Sequence, residues 1–437
     1  MPFLSAARGS LARTPLSTVL AVTGGLYLVA IGILIITRAP LGSATFFMAT
    51  AVTSIAFVAM IARVWHAVGS DRLLLVAIAL AVAFRIPATV APVGADNDMV
   101  RYIWDGRVQK LGHNPYRVLP SDPALAHTHT DETAAMPSRR ARTPYPPAAQ
   151  LFFRLVVTIH DSTTAMKLSL VGCDLLTVLV LWRFLVITGR NPWLVLTYAW
   201  HPLVVLEISH SGHIDALGAL WTAAAAYWLV RRRTALAAIA FVLAIATKLL
   251  PIVLAPLFLG RVRPRDLFTG ALFLAMLYVP FADGTGMPLG AVPNVVAHIR
   301  FNGPIFQALA AALTPQGAAA AAVALGLAVA LWARLRLEAD DPAAWAWPMA
   351  AALACAPVVY PWYLLYFTPF LFTVPTLPLM AWTFSVLPAY FVWELSRQGG
   401  RWSVPPFLLI LEYTVVVAAA AAVLWRTRRP SQASGRP

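Results

Sequence analysis

Only two cysteines occur in the 437 residues, and both, Cys173 and Cys355, fall within apolar segments. That argues against the disulfide framework that staples small secreted domains. Charge is also scarce, with 12% of residues charged and only 18 of them acidic. An ordinary soluble enzyme does not have that composition. The apolar–polar alternation of a membrane β-barrel is missing. So is a glycine-rich phosphate loop opening a helix after a strand, the fingerprint of a nucleotide site. What the chain has instead is apolar length, with 60% of its residues hydrophobic.

Apolar runs long enough to cross a bilayer, about 20 residues, recur throughout. They include Leu16–Thr37, Ser43–Ala62, Leu73–Pro92, Met166–Ile187, Ala318–Leu335 and Pro406–Trp425. Shorter apolar segments broken by Pro and Gly lie between them. In hydrocarbon every backbone polar group needs a partner within the protein, which leaves helices as the spanning element. The expected fold is an all-α polytopic membrane protein of roughly 12–14 transmembrane helices, counted from segment lengths. The first run follows Arg8 and Arg13, as a signal sequence would. Its apolar stretch is too long for one and no small-residue cleavage site stands out, so a retained helix is expected. The organisation reads as transmembrane helices 1–3 over 1–92, a polar loop over 93–148, a bundle with short or broken helices over 149–425, and a basic tail over 426–437.

The formal net charge is +15, yet the basic residues form short clusters between helices. Arg231–Arg233, Arg261/Arg263/Arg265 and Arg426/Arg428/Arg429 read as cytoplasmic orientation signals. The expected partner is therefore the lipid bilayer, not nucleic acid. Arg8 and Arg13 place the N-terminus in the cytoplasm, Arg63 and Arg72 return to that side, and the third span delivers the loop 93–148 to the outer face. Arg139, Arg140 and Arg142 in that loop run against the tendency; Arg231–Arg233, three spans later, restore it. Segment 234–260 begins and ends at basic clusters. It is either one tilted span or two half-spans turning near Lys248–Pro251, where Pro251 supplies a physical reason for a break.

Within this apolar chain, "ADNDMVRYIWDGRVQKLGHNPY" (95–116) keeps three carboxylates, Asp96, Asp98 and Asp105, within ten positions. On a helix over 98–111, Val100, Ile103, Trp104, Val108 and Leu111 share one side, and Asp98, Arg101, Tyr102, Asp105 and Gln109 the other. The pattern predicts an amphipathic helix on the membrane surface with its apolar face down. Asp96 or Asn97 can cap its start, and Gly112 with Asn114–Pro115 ends it. Asp98 and Asp105 lie roughly 10 Å apart along the axis, too far to share a proton. Arg101 can pair with either. The economical assignment pairs it with Asp105 and leaves Asp98 free for chemistry.

Other ionisable groups gather at predicted outer turns. "LEISHSGHIDALG" (206–218) brings Glu207, His210, His213 and Asp215; "VAHIRFNGPIF" (296–306) adds His298, Arg300 and Asn302. Such groups at membrane depth are costly and default to functional candidates. The His210, His213 and Asp215 spacing fits no specific metal motif, so no metal site is assigned. Tyr360, Trp362 and Tyr363 stand at another outer interface, where aromatic residues also serve as a membrane belt.

The segment 96–117 ("DNDMVRYIWDGRVQKLGHNPYR"), followed by "TPYPPAAQLFF" (143–153), resembles the GT-C superfamily of membrane glycosyltransferases. The similarity is to bacterial enzymes that use polyprenyl-phosphate sugars, mostly mannosyltransferases, and more loosely to the first mannosyltransferase of GPI-anchor assembly. The blocks "HPLVVLEISHSGHIDALG", "ATKLLPIVLAPLF", "RFNGPIF" and "VYPWYLLYFTP" follow in the same order, so the resemblance spans about 84–370. It implies an extracytoplasmic acidic residue, just after a transmembrane helix, acting as catalytic base. Matched to the pattern, that residue is Asp98. Many relatives have adjacent acids where this chain has Asn97–Asp98, which keeps Asp96 as the alternative.

The resemblance also implies an inverting transfer, from a polyprenyl-phosphate sugar to an extracytoplasmic glycan or glycolipid, in a bacterial cytoplasmic membrane. The lipid-linked sugar is then a co-substrate, and no cofactor is called for. A positioned carboxylate suits removal of the acceptor's proton. Cations suit the departing lipid phosphate, and Lys248, Arg300, Arg101 and His298 are the candidates. Tyr102, Asp105, Asn114, Tyr116, Glu207, His213, Asp215, Asn302, Tyr360, Trp362 and Tyr363 are supporting or substrate-binding candidates. A transporter or flippase of lipid-linked sugars is the competing class; it calls for paired inverted repeats, and none is evident.

Overall fold

The computed structural model describes residues 14–65, 67, 69–91, 98–134, 136–282 and 288–428. Asp96, Asn97, Arg8, Arg13 and Arg429 lie outside the described residues. The fold is all-helical, and the chain is a polytopic α-helical membrane protein. The longer helices are α1 (Leu16–Ile36), α2 (Ala44–Val64), α3 (Asp71–Val90), α4 (Asp98–Lys110), α5 (Pro147–Ile159) and α6 (Thr163–Ile187). They continue with α7 (Asp215–Val230), α8 (Thr234–Thr247), α9 (Pro264–Tyr278), α10 (Pro315–Arg336), α11 (Pro342–Ala354) and α12 (Pro406–Arg428). Side-chain caps start several of them: Ser43, Ser70, Ser162 and Thr314 accept backbone N–H groups of α2, α3, α6 and α10, satisfying donors a helix start leaves unpaired.

Among the described residues, seven helices are long and apolar enough to cross a membrane: α1, α2, α3, α6, α10, α12 and the nearly continuous run Val374–Arg397. Much of the remaining apolar length is divided among shorter helices, so the 12–14 spans counted from the sequence are not all full-length helices. Prolines open many of the short pieces, including those at Pro202, Pro361 and Pro369, where a missing N–H and a fixed φ suit a helix start and not its interior.

Cross-contacts sort the loops into two ends. At one, Arg63 Nε donates to the Thr14 carbonyl (3.4 Å) and Asn191 Nδ2 to the Ala67 carbonyl (3.1 Å). Arg190 meets Asp340 at 3.8 Å, and Arg261 Nη2 donates to the Leu337 carbonyl at 2.7 Å. Thr234 hydrogen-bonds Asp266, so the arginines that precede α8 and α9 lie at this same end. At the other end, Arg397 Nη2 reaches the Leu41 carbonyl (2.7 Å) and Asn114 Nδ2 the Phe281 carbonyl (2.9 Å). The arginine-rich turns thus gather at one end, and α4 lies at the opposite one.

Segment 234–260 settles between its two expectations. Helix α8 stops at Thr247, Lys248 is extended (φ −159°, ψ 145°), and a tight helical stretch Leu250–Phe258 follows. Arg334 Nε then holds the Leu259 carbonyl at 2.6 Å, back at the arginine-rich end. The segment is therefore a re-entrant hairpin with Lys248 at its tip. Helices α7 (16 residues) and α8 (14 residues) are about 24 Å and 21 Å long, short of the ~30 Å hydrocarbon thickness.

One sequence expectation needs correction. The apolar side of α4 does not rest on lipid: Val100, Trp104 and Val108 pack with Leu125 and Met136 of the following loop, while Tyr102 and Ile103 join the main core. The loop's own apolar residues are the nearer cover, and they seal the helix inside protein. In α6, Lys167, Asp174 and Arg183 do not satisfy one another. Asp174 pairs with Arg85 of α3, and Lys167 Nζ donates to the carbonyls of Ala88 (2.9 Å) and Ala91 (2.7 Å). Arg183 lies over the Trp182 ring at 5.6 Å. Lys167 thereby fastens the end of α3 just before the chain approaches Asp98.

Candidate active site

Helix α4 carries a carboxylate near each end. It stops where Gly112 takes φ +88°. There the Gly112 N–H bonds the Gln109 carbonyl (3.0 Å) and the His113 N–H that of Val108 (2.9 Å), the paired closure a left-handed glycine permits. Near that end Asp105 is fully buried. Arg101 Nε donates to its Oδ1 at 2.7 Å, and Gln150 Nε2 of α5 to its Oδ2 at 2.9 Å. Gln150 also donates to Thr143 Oγ1 (2.7 Å) and accepts from Gln109 Nε2 (2.8 Å), while Arg101 Nη1 reaches the Ala141 carbonyl (2.9 Å). This network stitches α4, α5 and the loop at 141–143 together.

Asp98 opens α4 with a side chain 40% exposed. Its Oδ2 is 3.9 Å from His213 Nδ1, and His213 Nε2 is 3.3 Å from Glu207 Oε2. Glu207 is fully buried and receives the Tyr390 hydroxyl. Glu207 lies in a wide helical turn, Val205–His210, a geometry that recurs at functional sites. After it, Gly212 adopts φ +74°, and a Cβ there would stand 1.7 Å from the Met99 side chain. Only glycine brings the His213 backbone this close to the start of α4.

A second pair adjoins the first. Asp215, the first residue of α7, receives Lys248 Nζ at 2.7 Å, and that ammonium sits 3.7 Å from the centre of the Tyr363 ring. The Lys248 side chain is 22% exposed. Tyr102, one turn after Asp98, links the pairs, since its hydroxyl accepts the Ile214 N–H at 3.4 Å. Burial first, and then the charge of Asp98, holds the Tyr102 and Tyr145 hydroxyls well above the usual phenol range, so both stay protonated.

Aromatic rings wall the cluster. His213 stacks on Trp362 (4.1 Å between centroids, 8° between planes), Trp362 on Tyr360 (4.3 Å, 6°), and Tyr360 on Phe301 (4.3 Å, 29°). Their faces are used on one another, which holds the His213 ring in place.

Other predicted site residues serve elsewhere. The Arg101 guanidinium is committed to Asp105 and Ala141. Arg300 turns back on its own helix end, donating to the carbonyls of Val296, Ala297 and Ile299 and lying over Phe306. Those last-turn carbonyls need donors, and the arginine supplies them. His298 is exposed on the same short helix. Asn114 holds the Phe281 carbonyl, and Tyr116 donates to the Tyr145 carbonyl (2.7 Å). Asn302 donates to the Glu412 carboxylate at 3.0 Å, which also receives Trp382 Nε1 at 2.6 Å. Of the four cation candidates, Lys248 is the one that the described residues place in the carboxylate cluster.

Sequence reasoning overlooked Gln150, Tyr390 and Glu412. Gln150 and Glu412 were marked by being polar residues in largely apolar helices; nothing in the sequence marked Tyr390. Among the described residues no three of His, Cys, Asp and Glu converge as a metal-ligand set.

The family described as alpha-(1->6)-mannopyranosyltransferase, N-terminal domain, matches residues 12–262, more than half of the chain, and the chain belongs to that family. Neither the curated proteins nor the solved structures compared with it gave a match. The matched span contains Asp98, Glu207, His213, Asp215 and Lys248, while Trp362, Tyr363 and Tyr390 lie beyond it.

Proposed function

We propose that this membrane-embedded mannosyltransferase takes mannose from a polyprenyl-phosphate donor. It passes the sugar, with inversion, to a hydroxyl of an extracytoplasmic glycan or glycolipid in a bacterial cytoplasmic membrane. The observation that carries the reading is the half-exposed carboxylate of Asp98 at the end opposite the arginine-rich turns. Basic clusters favour the cytoplasmic side, which makes the Asp98 end the outer one. Sugar nucleotides are made in the cytoplasm, whereas a lipid-borne sugar can be presented at the outer face. The Lys248–Asp215 pair, at the tips of helices too short to span the hydrocarbon, is at a depth where a lipid-linked phosphate would pass. Polar groups are tolerated there when they line a protein cavity.

In this reaction Asp98 accepts the acceptor hydroxyl's proton as the oxygen attacks the anomeric carbon. The bond from that carbon to the phosphate oxygen breaks, its electron pair leaving with the lipid phosphate. Lys248 stabilises the charge that develops there. Asp96 remains the alternative base.

The test supplies purified protein in proteoliposomes with polyprenyl-phosphate mannose or with nucleotide-activated mannose, and bacterial membrane glycolipids as acceptor. Labelled product from the lipid donor alone is expected. Product from the nucleotide donor alone would overturn the reading.

A further inference from the structure

We propose that His213 is a positioning residue for this reaction: it aims Asp98 and receives, at Nδ1, the proton that Asp98 has taken from the acceptor. The inference rests on Asp98 being the base. The imidazole is held on two sides, and its backbone is fixed as well. Trp362 covers one face at 4.1 Å, the Glu207 carboxylate stands 3.3 Å from Nε2, and the backbone N–H of His213 donates to the Glu207 carbonyl at 2.9 Å. Glu207 is fixed in turn by the Tyr390 hydroxyl. A carboxylate beside Nε2 favours the tautomer with its proton on that nitrogen, leaving Nδ1 an acceptor. Nδ1 is buried, has no hydrogen-bond partner among the described residues, and lies 3.9 Å from Asp98 Oδ2. One carboxylate rotation or one bridging water closes that gap.

The proton balance is simple. The acceptor O–H bond breaks, its oxygen bonds the anomeric carbon, and the lipid phosphate departs with the electron pair of the broken bond. The proton rests on Asp98, then on Nδ1, and the resulting imidazolium lies against the Glu207 carboxylate. Asp98 is again a carboxylate, and the imidazolium gives its proton to water after product leaves. Among the described residues, the charged groups paired around the ring are Asp98 from α4 and Glu207 from the wide turn, with the Lys248–Asp215 pair beyond Tyr102.

His213→Ala opens a ring-sized space beneath Trp362 that a small heterocycle can refill. Its kcat should fall about 100-fold, the lower range for a proton-transfer group, with KM for the lipid donor within about twofold. Added imidazole should restore activity at least about tenfold; pyrazole, of the same size but a far weaker base, should not. Equal recovery with both rings, or none with either, overturns the proposal. Should the alanine variant fail to fold, His213→Asn gives the same reading: an unchanged melting temperature with a similar fall in kcat is expected, and kcat within about twofold of wild type overturns it. Wild-type transfer measured alongside separates the two ideas. Its absence overturns the lipid-phosphate reaction, while its presence with equal rescue overturns only the role of His213.

Discussion

Two carboxylates two turns apart on α4 have opposite surroundings. Asp105 is wholly buried and bonded to Arg101 and Gln150, whose further bonds reach the loop at 141–143. Asp98 is 40% exposed, and a histidine stands 3.9 Å away. One is consumed by the fold; the other is left reachable. The same residue type on the same helix thus does different work because of what the rest of the chain brings to each end.

Removing each carboxyl breaks the comparison. Asp98→Asn should lower kcat by about 10²–10⁴-fold, the span of a lost general base, with little change in melting temperature, measured by initial rates and thermal unfolding in detergent. Asp105→Asn should do the reverse. It leaves Arg101 buried without its counter-charge, which costs about 3–5 kcal/mol of stability, read as a lower melting temperature or lost expression. Replacing both, as Arg101→Met with Asp105→Leu, should recover part of that loss.

Two smaller changes sharpen the comparison by probing the neighbours of the open carboxylate. Lys248→Met should lower kcat/KM for the lipid donor about tenfold or more, as loss of a charged hydrogen bond worth roughly 1.5–3 kcal/mol implies; steady-state kinetics with varied donor would show it. Tyr390→Phe removes the hydroxyl that fixes Glu207. It should cost about 0.5–1.5 kcal/mol, a few-fold fall in kcat with donor KM unchanged.

Sequence periodicity located α4 and its ends, and the four-residue spacing of Arg101 and Asp105 anticipated their pair. The long spans were legible because apolar length alone signals them. The cover over Val100, Trp104 and Val108 was not, because Leu125 and Met136 lie in a loop with no periodic pattern. Nor was the backing of His213, since Tyr390 reaches Glu207 across 183 positions. Arg300 suits a phosphate by residue type, and the sequence does not say that the carbonyls of its own helix end also take its donors. Membership of the mannosyltransferase family agrees with the resemblance carried by 96–117 and by the later blocks that fall within residues 12–262.

In the proposed reaction the Asp98 end of the bundle faces outside the cell, where the sugar arrives on lipid. Single cysteines at Arg140, exposed in the loop after α4, and at Arg231, exposed at the arginine-rich end, test it directly in intact bacterial cells with a membrane-impermeant maleimide. Native Cys173 and Cys355 are buried and should stay unlabelled. Labelling of Arg140→Cys in intact cells, with Arg231→Cys labelled only after permeabilisation, is the predicted result. The opposite pattern would put Asp98 in the cytoplasm and contradict the account.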